Sequence, residues 1–295
     1  MNATPFAGMG LGQEEPVGPY DECIIELGAR VDTIRGRMAP SAPSAPSVRE
    51  TFHPQESLLD GLPVAVGPGA NPGVILRSDT FVELGNPAEG SCAAVLWTTD
   101  PGLVVDGRIR LLGPDIPEAQ GASLPFAQMV IVAGPSLGPD EHEILMGIQN
   151  LSDTVEGFMA KSTSEYVWAR VSGASAAKGL DLDTLGRVLL QRVKASVPGA
   201  TSAEVVFVTS SRDDVRSLSD LAATARQIGS DILRQTWKDR GFDLECDFDC
   251  SSCTDQEVCD DIREVIVATA RVAVAKKQER TKKKDRTWRE RIFNA

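Results

Sequence analysis

Apolar positions recur every third or fourth residue in YDECIIELGARVDTIRGRM, residues 20 to 38. That period places Cys23, Ile24, Leu27, Val31 and Ile34 on one face of a predicted helix. APSAPSAPS follows at residues 39 to 47, and a proline run of this kind predicts a semi-rigid linker. The helix is expected either as a separate arm that docks on a partner or as a helix folded back on the main body. The pattern leaves both open.

From residue 57 the pattern becomes globular. GLPVAVGPGANPGVIL, residues 61 to 76, mixes short apolar runs with glycine and proline and predicts short strands with tight turns. CAAVLWTT (92 to 99) and LVVDGRIRLLG (103 to 113) read as strands, with Asp106-Gly107 as a two-residue hairpin turn. PFAQMVIVAG (125 to 134) reads as a buried strand. Beyond Pro139 the period changes, and DEHEILMGIQNLSDTVEGF predicts a helix. EYVWARVS (165 to 172) and AEVVFVT (203 to 209) predict strands. DLDTLGRVLLQRVKAS (181 to 196) predicts a helix closed by Pro198-Gly199. Residues 212 to 239 predict a long helix with Val215, Leu218, Leu221, Ile228 and Ile232 on its buried stripe.

Strands thus dominate the front half of the body, and helices and strands alternate in the back half. The expected fold is α+β (mixed α/β) rather than a doubly wound sheet, with a C-terminal cysteine-bearing helical segment. The expected division is an N-terminal helical arm at 1–38, a Pro/Ser-rich linker at 39–56, a body at 57–240, and a four-cysteine segment with a basic helix at 241–295.

Composition narrows the function classes. The formal charge of −12 argues against nucleic-acid binding by the whole surface. No apolar run approaches the roughly 20 residues that cross a bilayer. MNATPFAGMGLGQEEPVGPYDE lacks the basic start and apolar run of a secretory signal, so a cytoplasmic, reducing location is expected, where disulfides are rare. Cys23 and Cys92 lie among apolar neighbours and are expected to be small core residues.

The other four cysteines crowd into CDFDCSSCTDQEVCDD, residues 246 to 261. Cys246, Cys250, Cys253 and Cys259 are spaced Cys-x3-Cys-x2-Cys-x5-Cys. Thr254 and Glu257 have the form of a capping box, so a helix is expected to start there, its stripe being Val258, Ile262, Val265, Ile266, Thr269 and Val272. A helix start favours the thiolate form of nearby cysteines. Four thiolates suit a [4Fe–4S] cluster or tetrahedral zinc. Structural zinc usually pairs two knuckles across a longer segment, whereas these ligands crowd into one, which favours the cluster. The surrounding Asp and Glu residues would push such a cluster to low potential. Zinc, and inert or disulfide-forming thiols, stay as alternatives.

Several blocks carry a family resemblance. GLPVAVGPG…RSDTFVELG (61 to 85), VDGRIRLLGPDIPEAQGASLPFAQMVIVAG (105 to 134), VEGFMAKSTSEYVWARVSGASAAKGLDLDTLGRVLLQRVKASVP (155 to 198) and AEVVFVTS (203 to 210) are similar, in order and spacing, to the middle domain of acetyl-CoA synthase, the beta subunit of the carbon monoxide dehydrogenase/acetyl-CoA synthase complex. The most specific pieces are DGRIRLLGPDI, WARVS and AAKG, and the resemblance covers roughly residues 60 to 240. It implies one-carbon, CO or acyl-CoA metabolism within a multi-subunit complex, and a coenzyme A contact in this domain. On the matching positions it offers Trp168, Arg170 and Lys178 as coenzyme A contacts, with Met159 where the family has an aromatic residue. Solvated charges at Arg170 and Lys178 and a core role for Trp168 are the alternative. The family places a cysteine-bearing domain after the middle domain, as here. Its downstream Cys-Gly-Cys has no counterpart after Cys259, so a plain cluster is expected rather than the full nickel site.

From Arg263 onward the chain carries eleven basic and four acidic residues. Such a tail is expected to meet an acidic partner or the protein's own acidic face, with Trp288 and Phe293 as anchors; nucleic acid is a lesser candidate. His53 and His142 belong to no metal or nucleophile motif and are expected at the surface or satisfied in place. No P-loop, G-x-S-x-G or strand–G-x-G-x-x-G–helix pattern is present. The expected protein is an iron–sulfur subunit or accessory module related to the acetyl-CoA synthase beta subunit. A zinc-stabilised scaffold of the same fold is the alternative.

Overall fold

The computed structural model describes residues 18–38, 48–67, 69–70, 74–119, 121–148, 151, 154–162 and 165–239. The elements, in chain order, are α1 (Asp21–Arg37), β1 (Val48–Phe52), β2 (Thr80–Leu84), β3 (Ser91–Thr98), β4 (Arg108–Leu112), β5 (Ser123–Leu124), β6 (Phe126–Ala133), α2 (Pro139–Ile148), β7 (Phe158–Ser162), β8 (Val167–Ser172), α3 (Gly173–Ala177), α4 (Leu182–Ser196), β9 (Ser202–Val208) and α5 (Arg212–Asp239). Two mixed sheets with helices packed on them make an α+β fold, as expected.

The larger sheet has the order β1-β4-β9-β6-β3, and the smaller β5-β2-β8-β7. In the larger sheet β4 with β9 and β3 with β6 are parallel, while β1 with β4 and β6 with β9 are antiparallel. Every residue of β6 is buried, and so are nearly all of β3 and β9. Their near-continuous apolar runs are what a strand covered on both faces requires. β8 instead alternates, with Val167, Ala169 and Val171 buried and Trp168, Arg170 and Ser172 half-buried. One face of the smaller sheet therefore belongs to the core and the other does not.

Helix α4 packs on β9 and β4, and α5 on β3 and β6. Asp181 starts α4 by accepting from the Thr184 amide. The stripe of α5 is buried at Val215, Leu218, Leu221, Ala222 and Ala225 and half-buried at Ile228 and Ile232. Among the described residues no helix is long and apolar enough to cross a membrane.

Of the two placements open to the first helix, the structure takes the second. Cys23, Ile24, Leu27, Val31 and Ile34 are all buried, and α1 lies on α5 and β3. Arg37 pairs with Asp214 at 2.5 Å, and Arg30 donates to the Ser217 carbonyl. The 39–47 run lies outside the described residues. Val48–Phe52, placed by pattern in the linker, are an edge strand of the larger sheet. Their Val, Thr and Phe suit a strand, and register with β4 recruits them.

Three further expectations are corrected. Asp106-Gly107 does turn, with Gly107 at φ +73°, but it closes no hairpin. Pro101–Leu103 form a short 3-10 turn, and Val104–Val105 are not a strand. The turn is instead held by distant segments. The Asp106 carboxylate accepts from the Ala203 amide and from Gln55, and the Gly107 carbonyl accepts from the His53 amide. Strand β4 then pairs with β1 and β9. In 61–76, the described residues form one isolated bridge, Val66 with Val155, rather than short strands, because prolines withhold donors and glycines take left-handed turns. The helix after Pro139 ends at Ile148; Val155 forms that bridge and Phe158 opens β7.

Candidate functional site

Trp168, at one of the half-buried alternate positions of β8, lines a cleft of about 680 Å³. It lies between the β2–β3 turn, the β7–β8 hairpin and the first turns of α5. Its walls include Gly85, Ser91, Lys161, Tyr166, Trp168, Arg212, Val215, Arg216 and Ser219.

Local chemistry explains the placement. Ser91 Oγ donates to the Val167 carbonyl at 2.6 Å and accepts from the Val167 amide at 2.9 Å, which joins the start of β3 to the start of β8. Gly85 sits at φ +69°, and a Cβ there would lie 2.1 Å from the Val167 carbonyl oxygen, so the turn demands glycine. On β7, Lys161 stands directly across from Trp168. On β2, Glu83 stands directly across from Arg170.

Trp168 and Arg170 are two residues apart on one face of β8, and they meet. The Arg170 guanidinium carbon lies over the indole ring, 4.8 Å from its centroid. Glu83 Oε1 accepts from the indole N–H at 3.1 Å and from Arg170 Nε at 3.2 Å. Glu83 Oε2 accepts from Asn86 at 2.8 Å. The Asn86 hydrogen bond, then those from Arg170 and Trp168, hold the Glu83 carboxyl below the usual range against the opposing effect of burial.

The cleft is cationic. Arg212 pairs with Glu89 at 3.3 Å, and Arg216 with Asp213 at 3.7 Å; both arginine side chains are exposed. The Lys161 side chain is exposed. An indole wall beside three cations suits an anion that carries a flat ring.

Lys178 lies elsewhere. Its ammonium pairs with Glu156 at 2.5 Å, and the same carboxylate accepts from the Ala65 amide. Lys178 first, and that amide second, hold Glu156 below the usual carboxylate range. Lys178 does not line the cleft. Met159 lies across from Arg170 on β7. Lys161, Arg212, Arg216 and Glu83 were not singled out in the sequence. The available signal was Arg-x3-Arg straight after a buried strand, which puts two cations on one helix face at its first turn.

The histidines are outside the cleft. His53 Nε2 lies 2.9 Å from Asp183 Oδ1. His142 is fully buried, its Nδ1 accepts from the Trp97 indole at 3.2 Å, and burial pushes its pKa down to about 4. Tyr20 stacks on it at 6.2 Å. Gly229 packs closely there: a Cβ would lie 3.0 Å from His142 Nε2 and 3.1 Å from the Tyr20 hydroxyl. Cys23 and Cys92 are buried free thiols, as expected, and burial pushes Cys92 up to about 12. Among the described residues no group of His, Cys, Asp and Glu is placed to hold a metal ion. Cys246, Cys250, Cys253 and Cys259, the capping box beside them and the basic tail all lie outside the described residues.

Comparison with known proteins covers the same body. Residues 62–214, just over half of the chain, match the family described as CO dehydrogenase/acetyl-CoA synthase complex beta subunit. The acetyl-CoA decarbonylase/synthase complex subunit beta 2 of Methanocaldococcus jannaschii is 28% identical over 199 residues, 66% of this chain and 40% of that protein. The subunit beta of Methanopyrus kandleri is 31% identical over 168 residues, 56% of this chain and 36% of that one. The carbon monoxide dehydrogenase/acetyl-CoA synthase subunit alpha of Moorella thermoacetica is 25% identical over 175 residues, 59% of this chain and 24% of that one. The chain thus spans two fifths or less of the length of these three relatives. It belongs to the CO dehydrogenase/acetyl-CoA synthase complex beta subunit family.

Proposed function

We propose that this chain is a cytoplasmic subunit or accessory module of an acetyl-CoA synthase-type complex and that it binds coenzyme A in the cleft beside β8. The cleft is the observation that carries the reading: Trp168, Lys161, Arg212 and Arg216 share one opening in the border of the two sheets. Coenzyme A joins a flat adenine to several phosphates. An indole receives the ring by stacking, and arginine forks and an ammonium receive the phosphates. The relatives' names, as subunits of acetyl-CoA decarbonylase/synthase complexes, support other protein subunits as partners. The basic tail is proposed to meet an acidic surface among them.

The four C-terminal cysteines are proposed to hold a [4Fe–4S] cluster. Four thiols within fourteen residues form a donor set suited to thiolate ligation. When bound, such a cluster supplies one-electron transfer. Zinc on the same thiolates would make this segment a structural staple instead.

Calorimetric titration of coenzyme A into the full chain tests the cleft. Wild type is expected to bind. Trp168→Ala is expected to weaken binding about ten-fold, and Arg212→Ala/Arg216→Ala by a similar factor. Absence of binding at millimolar ligand would remove the reading. Iron, zinc and nickel measured in anaerobically purified protein test the cluster. Absorbance near about 400 nm, lost in Cys250→Ser/Cys253→Ser, is the expected result; one zinc and no iron would select the staple.

A further inference from the structure

We propose that Glu83 is the positioning residue of this cleft, holding the Trp168 indole and the Arg170 guanidinium in the pose that receives the ligand. The inference rests on the reading of the cleft as a coenzyme A site. Its geometric basis is a carboxylate with both oxygens committed. One accepts from the indole N–H and from Arg170 Nε, and the other from Asn86. Strand register makes this arrangement. Glu83 and Arg170 are directly opposed across β2 and β8, and Trp168 stands on the same face two residues earlier.

Each contact removes a freedom. The indole N–H bond sets the ring's rotation about its stem, and the Arg170 Nε bond sets the plane of the guanidinium over that ring at 4.8 Å. With Nε so engaged, the two terminal nitrogens of Arg170 have no partner among the described residues. Arg170 is tethered at its inner end only, which is how an arginine fork is presented to an outside anion at reduced ordering cost.

Electrostatics alone makes the opposite prediction, and that separates the two roles. Glu83 is negative and lies beside a cationic cleft. If it acted only through its charge, removing that charge would tighten the binding of any anion. If it positions Trp168 and Arg170, removing it loosens a ligand that needs the ring and the fork in place. The two signs differ for the same substitution.

Glu83→Ala in the full chain, which removes the charge and both acceptor oxygens, reads both. Coenzyme A is expected to bind about ten-fold more weakly, and inorganic pyrophosphate, which uses the fork but has no ring to stack, to weaken by a smaller factor. Trp168 emission is isolated by subtracting the signal of a Trp168→Phe variant in each background. In unliganded E83A it is expected to shift to the red and to quench more readily with iodide. Equal or tighter coenzyme A binding by E83A overturns the proposal, as does Trp168 emission that does not change. If wild type fails to bind coenzyme A while E83A alters Trp168 emission, the ligand reading fails and the positioning stands. Should E83A not fold, Asn86→Ala, which frees the other carboxylate oxygen, must move both readouts in the same directions by less; no movement overturns the proposal.

Discussion

The two sheets each carry a glutamate directly across from an arginine, and they use the pair differently. In the larger sheet Glu204 on β9 faces Arg108 on β4. Its side chain is only 4% exposed, and it accepts from Arg108 at 2.6 Å, from Arg110 at 3.1 Å and from the Val105 amide at 3.2 Å. In the smaller sheet Glu83 faces Arg170, and both keep a fifth to a quarter of their side chains exposed. Burial decides what the pair is for. A buried carboxylate with every partner inside the fold is committed to stability, and desolvation makes the loss of one partner expensive. One that keeps a fifth of its side chain exposed, bonded to a residue of the cleft wall, contributes less to stability and is available to arrange groups that face solvent.

The largest expected effect breaks the buried pair. Glu204→Ala takes from Arg110 its 3.1 Å partner and leaves Arg108 the more distant Glu50 at 3.6 Å, and burial already pushes the Arg110 guanidinium down from its usual range. A loss of about 3–5 kcal/mol in urea unfolding is expected, against less than about 1 kcal/mol for Glu83→Ala. Equal losses would erase the distinction between the two sheets.

A smaller effect tests the same burial argument on a different group. His142 is held neutral in the fold, with its pKa down at about 4 against about 6.5 unfolded. The facing groups are Tyr20 from the turn before α1, Trp97 from β3 and Gly229 from α5, none of them charged. The unfolded chain takes up the proton first, so this stability is present above about pH 6.5 and is lost as pH falls toward about 4. The expected loss is about 2 kcal/mol between pH 7.5 and 5, absent from a His142→Gln variant. The smallest effect is the change in melting temperature of Glu83→Gln, expected within a few degrees of wild type.

The resemblance and the structure divide along the same line. DGRIRLLGPDI is among the most specific blocks, yet its charged side chains bond to other parts of the fold. Asp106 holds the Ala203 amide, Arg108 and Arg110 hold Glu204, and Asp115 accepts from the Ile116 and Leu182 amides. WARVS, by contrast, supplies Trp168 to the cleft and Arg170 beside it. Two equally specific blocks thus have different roles, and sequence similarity does not say which is which.

Much of the architecture was legible because it depends on local pattern. Near-continuous apolar runs announced β3, β6 and β9, and the helical period announced α1, α4 and α5 to within a residue or two. These signals survive because hydrophobic period and chain geometry act over neighbouring residues. The hairpin at Asp106-Gly107 failed for the opposite reason: a two-residue turn is a local cue, and the partners that claimed it, His53 and Ala203, are remote in sequence.

The amino-acid sequence by itself determined the fold class, the helix faces, the family and the residue types available to a site. Only the tertiary structure decided that α1 packs into the body, that β1 joins the larger sheet, and that Glu83 meets Arg170 from 87 residues away. Strand order and register are long-range choices, settled by how apolar faces are covered together, and they bring charges to one spot that no local period encodes.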